Sequence, residues 1–191
     1  MPRHWPVTET VVEGEYRIFR LRRDRAVSPR TGASHDFYVL ETRDWVNVIP
    51  LTEAGEVVMV RQYRHGVRAV TLEIPGGILD EPGEDPAQAA RRELLEETGY
   101  APREILALGA VQAQPALQDN LCHTYLALGC AKVAEPAPDA GEDLRVVRFP
   151  LDEVPDRIAS GEIRHGLVLA AFYWYELWRR NGGSGAGAKP R

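Results

Sequence analysis

The chain has 191 residues, 44% of them apolar and 27% charged, with a formal net charge of −5. These values place it among soluble globular chains of one domain with enough bulk for a sizeable core, and the acidic balance argues against a nonspecific nucleic-acid surface. With two cysteines, no apolar signal core at the N-terminus and no run near the roughly 20 apolar residues of a membrane span, the expectation is a reduced, cytoplasmic protein with no membrane partner.

Residues 1–14 show no usable periodicity. Residues 16–25, which include Arg17, Arg20, Arg22, Arg23 and Arg25, predict a strand with one charged face, followed by a turn at Pro29 and Gly32. Strands are expected near 36–42, 45–50, 56–63 and 70–74, and Glu53-Ala54-Gly55-Glu56 supplies a hairpin signal between the second and third. Leu72–Gly77 predicts a strand ending in a glycine turn, where the two glycines let the backbone approach a ligand closely. A helix is expected over 86–98. Asp85 serves as its N-cap, Pro86 occupies the first helical position, Gln88 completes a capping-box pattern, and Gly99 fits a left-handed C-terminal cap. Further strands are expected near 104–112, 121–129 and 144–149. The Pro-, Ala- and acid-rich residues 134–143 predict a mobile loop, and 151–160 a short helix interrupted by Pro155. A last helix over 166–180 is dense in aromatics, which suits core or subunit packing, and residues 182–191 read as a flexible tail. Strands, a helix, more strands and a final helix give an α+β domain over residues 1–181 with a mixed sheet between helices.

The helix over 86–98 carries the chemistry. Glu93, Glu96 and Glu97 fall within a single turn, in an arc of roughly 100°. Like charges at such spacing cost a few tenths of a kcal/mol per pair, and a helix that accumulates them has a cation to offset the cost. Clustered carboxylates suit a hard divalent ion. Arg92 can hold carboxylates by charge-assisted hydrogen bonds. A carbonyl in the glycine segment and the acids Asp80, Glu81, Glu84 and Asp85 could add oxygen ligands. A solvated acidic face is the plain alternative; the strand, glycine segment, capped helix and Arg-Glu…Glu-Glu spacing together weigh against it. A catalytic or zinc pair at Cys122 and His123 is disfavoured, because adjacent strand residues point to opposite faces.

At these residues the chain resembles a Nudix hydrolase, whose pattern is Gly-x5-Glu-x7-Arg-Glu-U-x-Glu-Glu-x-Gly-U, with U a bulky apolar residue. Glu84, seven intervening residues and Arg92–Tyr100 match it. One departure exists: Gly77 is separated from Glu84 by six residues, not five. The chain is also similar to the ADP-ribose pyrophosphatase branch at Val-Arg-Gln-Tyr-Arg (60–64), at Leu-Glu-Ile-Pro-Gly-Gly (72–77), at Pro115 and at Gly-Glu-Asp-Leu-Arg-Val (141–146). The resemblance covers roughly residues 35–180.

The resemblance implies an α/β/α sandwich that hydrolyses ADP-ribose or a related nucleoside diphosphate sugar to a nucleoside monophosphate and a sugar phosphate. It implies Mg²⁺ or Mn²⁺ on Glu93, Glu96 and Glu97, completed by Gly77 and Glu84, with Arg92 among the catalytic groups. Glu142, in a late loop, is the implied general base, with Asp139 and Asp143 as rivals. Arg64, Glu73 and Pro115 are implied substrate contacts, and N-terminal strands within 1–45 imply a homodimer. Other nucleotide substrates (GDP-mannose, a dinucleotide, an oxidised nucleoside triphosphate) stay open. So does a non-catalytic nucleotide sensor, although all three helix glutamates are present and the length leaves no room for a second domain.

Overall fold

The computed structural model describes residues 1–80, 83–138, 141 and 143–183. The chain divides into two units. The first comprises Met1–Asp44 and Gln112–Leu121. Strands β1 (Val7–Glu15), β2 (Arg20–Val27) and β3 (Ser34–Glu41) form an antiparallel sheet in the order β1-β2-β3. The expected strand over 16–25 starts only at Arg20, and β1 went unpredicted. The arginines of β2 are not simply solvated. Arg20 and Arg22 pair with Glu41, Arg23 with Glu9 and Glu13, and Arg25 with Asp36. The segment carrying Pro115 joins this unit through Leu40 N–H, which donates to the Leu117 carbonyl at 2.8 Å.

The second unit contains β4 (Trp45–Thr52), β5 (Glu56–Arg64), β6 (Ala69–Glu73), β7 (Gly76–Ile78), α1 (Pro86–Thr98), β8 (Tyr100–Ala101), β9 (Glu104–Gln112), β10 (Leu121–Lys132), β11 (Leu144–Pro150), a 3-10 turn (Leu151–Glu153), α2 (Val154–Ala159) and α3 (Gly166–Arg180). The sheet runs β11-β5-β4-β10-β8, with β6 on β5, β7 on β4 and β9 on β10. The β4–β10 pair is parallel and its other neighbours along β4 and β5 are antiparallel, so the sheet is mixed as expected.

Alternation along the central strands puts a core on each face. Val46, Val48 and Val58 pack with Ala89, Ala90 and Leu94 of α1. Ile49, Val57 and Met59 pack with Val168, Ala171 and Phe172 of α3. The unit is therefore helix, sheet, helix, and the aromatic helix α3 serves as a core element.

Helix α1 has the predicted bounds. Asp85 is extended and accepts from Ala87 N–H at 3.0 Å, Pro86 opens the first turn, and Gly99 (φ 74°) donates its N–H to the Leu95 carbonyl. Two expectations need correction. Gly76 and Gly77 do not form a turn but belong to β7, with Gly76 opposite Asn47 and Gly77 opposite Val46. Pro155 lies in the first turn of α2, where its missing N–H costs nothing, and does not interrupt a helix. The two-residue strand β8 was not foreseen. The tail expectation beyond Gly183 lies outside the described residues. No helix among the described residues is long and apolar enough to cross a membrane.

Candidate active site

Arg92 organises the acidic side of the second unit. Its Nη1 lies 2.8 Å from Glu93 Oε1 and 3.2 Å from Glu96 Oε2. Its Nη2 lies 3.2 Å from Asp80 Oδ2 and 3.5 Å from Glu84 Oε1. Glu84 also accepts from Asp80 N–H at 2.6 Å. The extra residue before Glu84 is thus absorbed without taking its carboxylate away from the helix. Burial opposes the charge on Arg92, but Glu93, Asp80 and Glu84 outweigh it and hold the guanidinium pKa above its ordinary value. Glu97 faces differently. It is 2% exposed and accepts from Gly76 N–H at 3.2 Å.

The two glycines are steric requirements of this arrangement. A Cβ on Gly77 would lie 2.5 Å from Glu93 Cδ and 2.8 Å from its Oε2. A Cβ on Gly76 would run into the Val46 carbonyl and lie 2.9 Å from Asn47 Cα.

Among the described residues no three His, Cys, Asp or Glu side chains stand ready as a metal cage. The reason is visible in the ion pairs: Glu84, Glu93 and Glu96 turn toward Arg92, while Glu97 turns toward Gly76. The donor chemistry nevertheless fits a hard divalent ion. Four carboxylates share one guanidinium, a fifth is buried beside them, and all donors are oxygen. Glu93, Glu96, Glu97 and Glu84 are the residues able to hold such an ion.

A cavity of about 740 Å³ opens beside the glycines, with Gly76, Gly77, Arg64, Thr71 and Glu73 in its wall. Arg64 and Glu73 meet there as a two-pronged pair, Nε to Oε1 at 2.9 Å and Nη2 to Oε2 at 2.7 Å. Thr71 Oγ1 donates to the same carboxylate at 2.6 Å. Burial pushes the Glu73 carboxyl up, but the Arg64 fork and the Thr71 hydroxyl prevail, so its pKa lies below the ordinary value.

The structure thus brings together Arg92, Glu93, Glu96 and Glu84, joins Glu97 and Gly77 to them through the β7 backbone, and pairs Arg64 with Glu73. Pro115 belongs to the first unit. Glu142, its rival Asp139 and the loop acid Glu81 lie outside the described residues, while the other rival, Asp143, is exposed. Sequence reasoning missed Trp45, Asn47 and His165 in the cavity wall. No spacing signals them, since their role depends on which strand and helix end the fold sets side by side.

Residues 41–172 match the model of the NUDIX domain family. The ADP-ribose pyrophosphatase of Mycobacterium tuberculosis is 33% identical over 154 residues, covering 80% of this chain and 74% of that protein. The methanol dehydrogenase activator of Bacillus methanolicus is 32% identical over 171 residues, covering 89% and 90% of the two chains. A crystal structure of an ADP compounds hydrolase superposes with a TM-score of 0.84 at 20% identity, over 96% of this chain and 98% of that one, which is a likeness of fold.

Proposed function

Because the chain belongs to the NUDIX domain family, we propose that it hydrolyses the diphosphate linkage of ADP-ribose or a related nucleoside diphosphate sugar, giving a nucleoside monophosphate and a sugar phosphate. It is a pyrophosphohydrolase of the ADP-ribose pyrophosphatase branch. The observation that carries the substrate proposal is the cavity walled by Arg64, Glu73, Gly76 and Gly77 directly beside the Arg92 carboxylates. It offers a pocket next to a concentrated oxygen-donor set.

In this proposal Glu93, Glu96 and Glu97 hold Mg²⁺ or Mn²⁺, with the Gly77 carbonyl and Glu84 completing the ligand set. A bound divalent ion neutralises phosphate oxygens and lowers the pKa of water. The chain's own groups do the rest. Arg92 keeps Glu93 and Glu96 oriented on one side of α1. Arg64, held by Glu73 through Nε and Nη2, offers the far side of its guanidinium to a phosphate oxygen, while Glu73, pinned by Thr71, fixes its direction and accepts a substrate hydroxyl. Glu142 takes the proton from the water that attacks phosphorus, the P–O bond to the bridging oxygen breaks, and the departing phosphate keeps that oxygen. The proposal includes a homodimer that associates through the three-stranded sheet, on which Val12, Phe37 and Tyr38 are exposed.

The test is a panel of nucleoside diphosphate sugars, dinucleotides and oxidised nucleoside triphosphates with Mg²⁺, read by product chromatography. AMP and ribose 5-phosphate from ADP-ribose are expected. A folded protein inert toward every compound refutes the proposal, and light scattering decides the dimer.

A further inference from the structure

A second cavity, of about 1110 Å³, lies within the second unit and shares no lining residue with the 740 Å³ cavity. Its floor is apolar: Val154 and Phe172 are buried, and Leu151, Ile158 and Leu169 pack half-buried against the same core. Its walls come from the 3-10 turn and α2, from α3, and from Ala54 and Gly55 between β4 and β5. Apolar walls with a few placed polar groups, around a space of several hundred cubic ångströms or more, are the make-up of small-molecule sites.

The charged groups of this cavity gather at the end of α3. Glu176 accepts from Arg179 Nε at 2.9 Å, from Arg179 Nη2 at 2.9 Å and from Arg180 Nε at 2.8 Å. Two guanidinium groups thus hold one carboxylate, push its pKa down to about 2, and leave one positive charge over. Arg180 spends only Nε on this contact; its Nη1 and Nη2 groups meet no acid among the described residues. A guanidinium is weakly hydrated and grips a carboxylate with two parallel N–H donors, so it suits the edge of an apolar cavity. Asp152, the other acid of the wall, is exposed on the 3-10 turn. A matching ligand has an apolar body to cover the floor and a single negative charge for Arg180. An uncharged apolar molecule leaves the fork unused. A nucleoside diphosphate brings more charge than one surplus guanidinium balances and too little apolar surface for the floor.

We propose that this second cavity binds a medium-chain carboxylate, with the alkyl chain over Val154, Ile158, Leu169 and Phe172 and the carboxylate on Arg180. The site is separate from the diphosphate chemistry proposed above and does not rest on it.

The test is calorimetric titration of the full chain at neutral pH with decanoate, octanoate, decanol and decyltrimethylammonium, each below its micelle concentration. Decanoate is expected to bind, and octanoate, two methylenes shorter, about tenfold more weakly. Decanol and decyltrimethylammonium are expected to bind about fivefold more weakly than decanoate, the scale of an exposed ion pair. Arg180→Gln, a change at an exposed helix end, is expected to remove that preference for the carboxylate. Tyr173→Asp, which sets a negative charge on an exposed position of the same wall, is expected to weaken decanoate about fivefold and spare decyltrimethylammonium. Thermal unfolding checks that both variants fold. Saturating ADP-ribose in EDTA is expected to leave the decanoate affinity unchanged. No binding of decanoate below its micelle concentration overturns the site, as does equal binding of the ammonium probe or a carboxylate preference that survives in both variants. Displacement of decanoate by ADP-ribose also overturns it, because that result places the carboxylate in the 740 Å³ cavity.

Discussion

Gly76→Ala and Gly77→Ala place the same methyl group one residue apart, and the structure predicts opposite outcomes. At Gly76 the new Cβ meets backbone, the Val46 carbonyl and Asn47 Cα at 2.9 Å. Carbon atoms rest comfortably at about 3.5–4.0 Å, so β4 and β7 must move apart by roughly half an ångström or more. Overpacking of this kind costs about 1–3 kcal/mol. Two backbone obstacles with no flexible end put Gly76→Ala near the top of that range. For a chain of this size the melting temperature then falls by roughly 6–12 °C. At Gly77 the obstacle is the carboxylate end of Glu93, with Cδ at 2.5 Å. A flexible end can swing away, so Gly77→Ala melts within about 2 °C of wild type. The swing carries Glu93 off its position beside Arg92, and a displacement of about 1 Å at a reacting centre lowers kcat about 100-fold. Scanning calorimetry and steady-state hydrolysis of ADP-ribose with Mg²⁺ measure both quantities. Equal loss of melting temperature in the two variants, or wild-type kcat in Gly77→Ala, would refute the assignment of these glycines to different neighbours.

Three further outcomes follow from the site. Arg64→Ala strips the partner from a carboxylate that is 3% exposed, and because the arginine itself is 44% exposed the cost is discounted to about 1–3 kcal/mol. The sign with pH is set by the depressed Glu73 pKa: the stability it contributes is full above the ordinary value of 4.5 and is lost as pH falls through the lower native value. The gap in melting temperature between wild type and Arg64→Ala is therefore expected at neutral pH and closes in acid; a gap independent of pH contradicts the pairing. Glu142→Gln is expected to lower kcat about 100-fold or more with metal binding retained, and an unchanged kcat removes Glu142 from the mechanism. EDTA is expected to abolish hydrolysis and Mg²⁺ or Mn²⁺ to restore it. Glu97→Gln should raise the Mg²⁺ concentration needed by about tenfold or more, and a titration curve that does not move argues that Glu97 is structural only.

The parts of the fold legible in the sequence are those whose signals are local. Helix α1 was bounded to the residue because Asp85-Pro86 and Gly99 are chemical stops at both ends. The buried strands β4 and β5 were found from their apolar runs. The strand β1 was illegible because it is exposed on both faces, leaving no apolar alternation to read. In β7 three residues are too few for a period, and glycines that read as a turn were there to clear space for Glu93 and Asn47. The candidate site divides in the same way. The four residues Arg92, Glu93, Glu96 and Glu97 lie within two successive turns of one helix, so spacing exposed them. The Arg64–Glu73 fork joins two strands across a hairpin, and Trp45, Asn47 and His165 come from β4 and the start of α3. Their meeting depends on tertiary placement that no linear spacing encodes.

Arg92 gives the acidic helix a cation that cannot diffuse away. In proteins whose metal supplies the folding free energy, chelation means unfolding. Here the helix is capped at both ends and its crowded carboxylates already face a guanidinium within the chain. Under the proposed metal requirement, scarcity of the ion stops turnover while the polypeptide keeps its shape and its resistance to proteolysis. Resupply then restores activity on the timescale of ion capture, with no need for new synthesis, so the ion sets the rate of this protein without setting its lifetime.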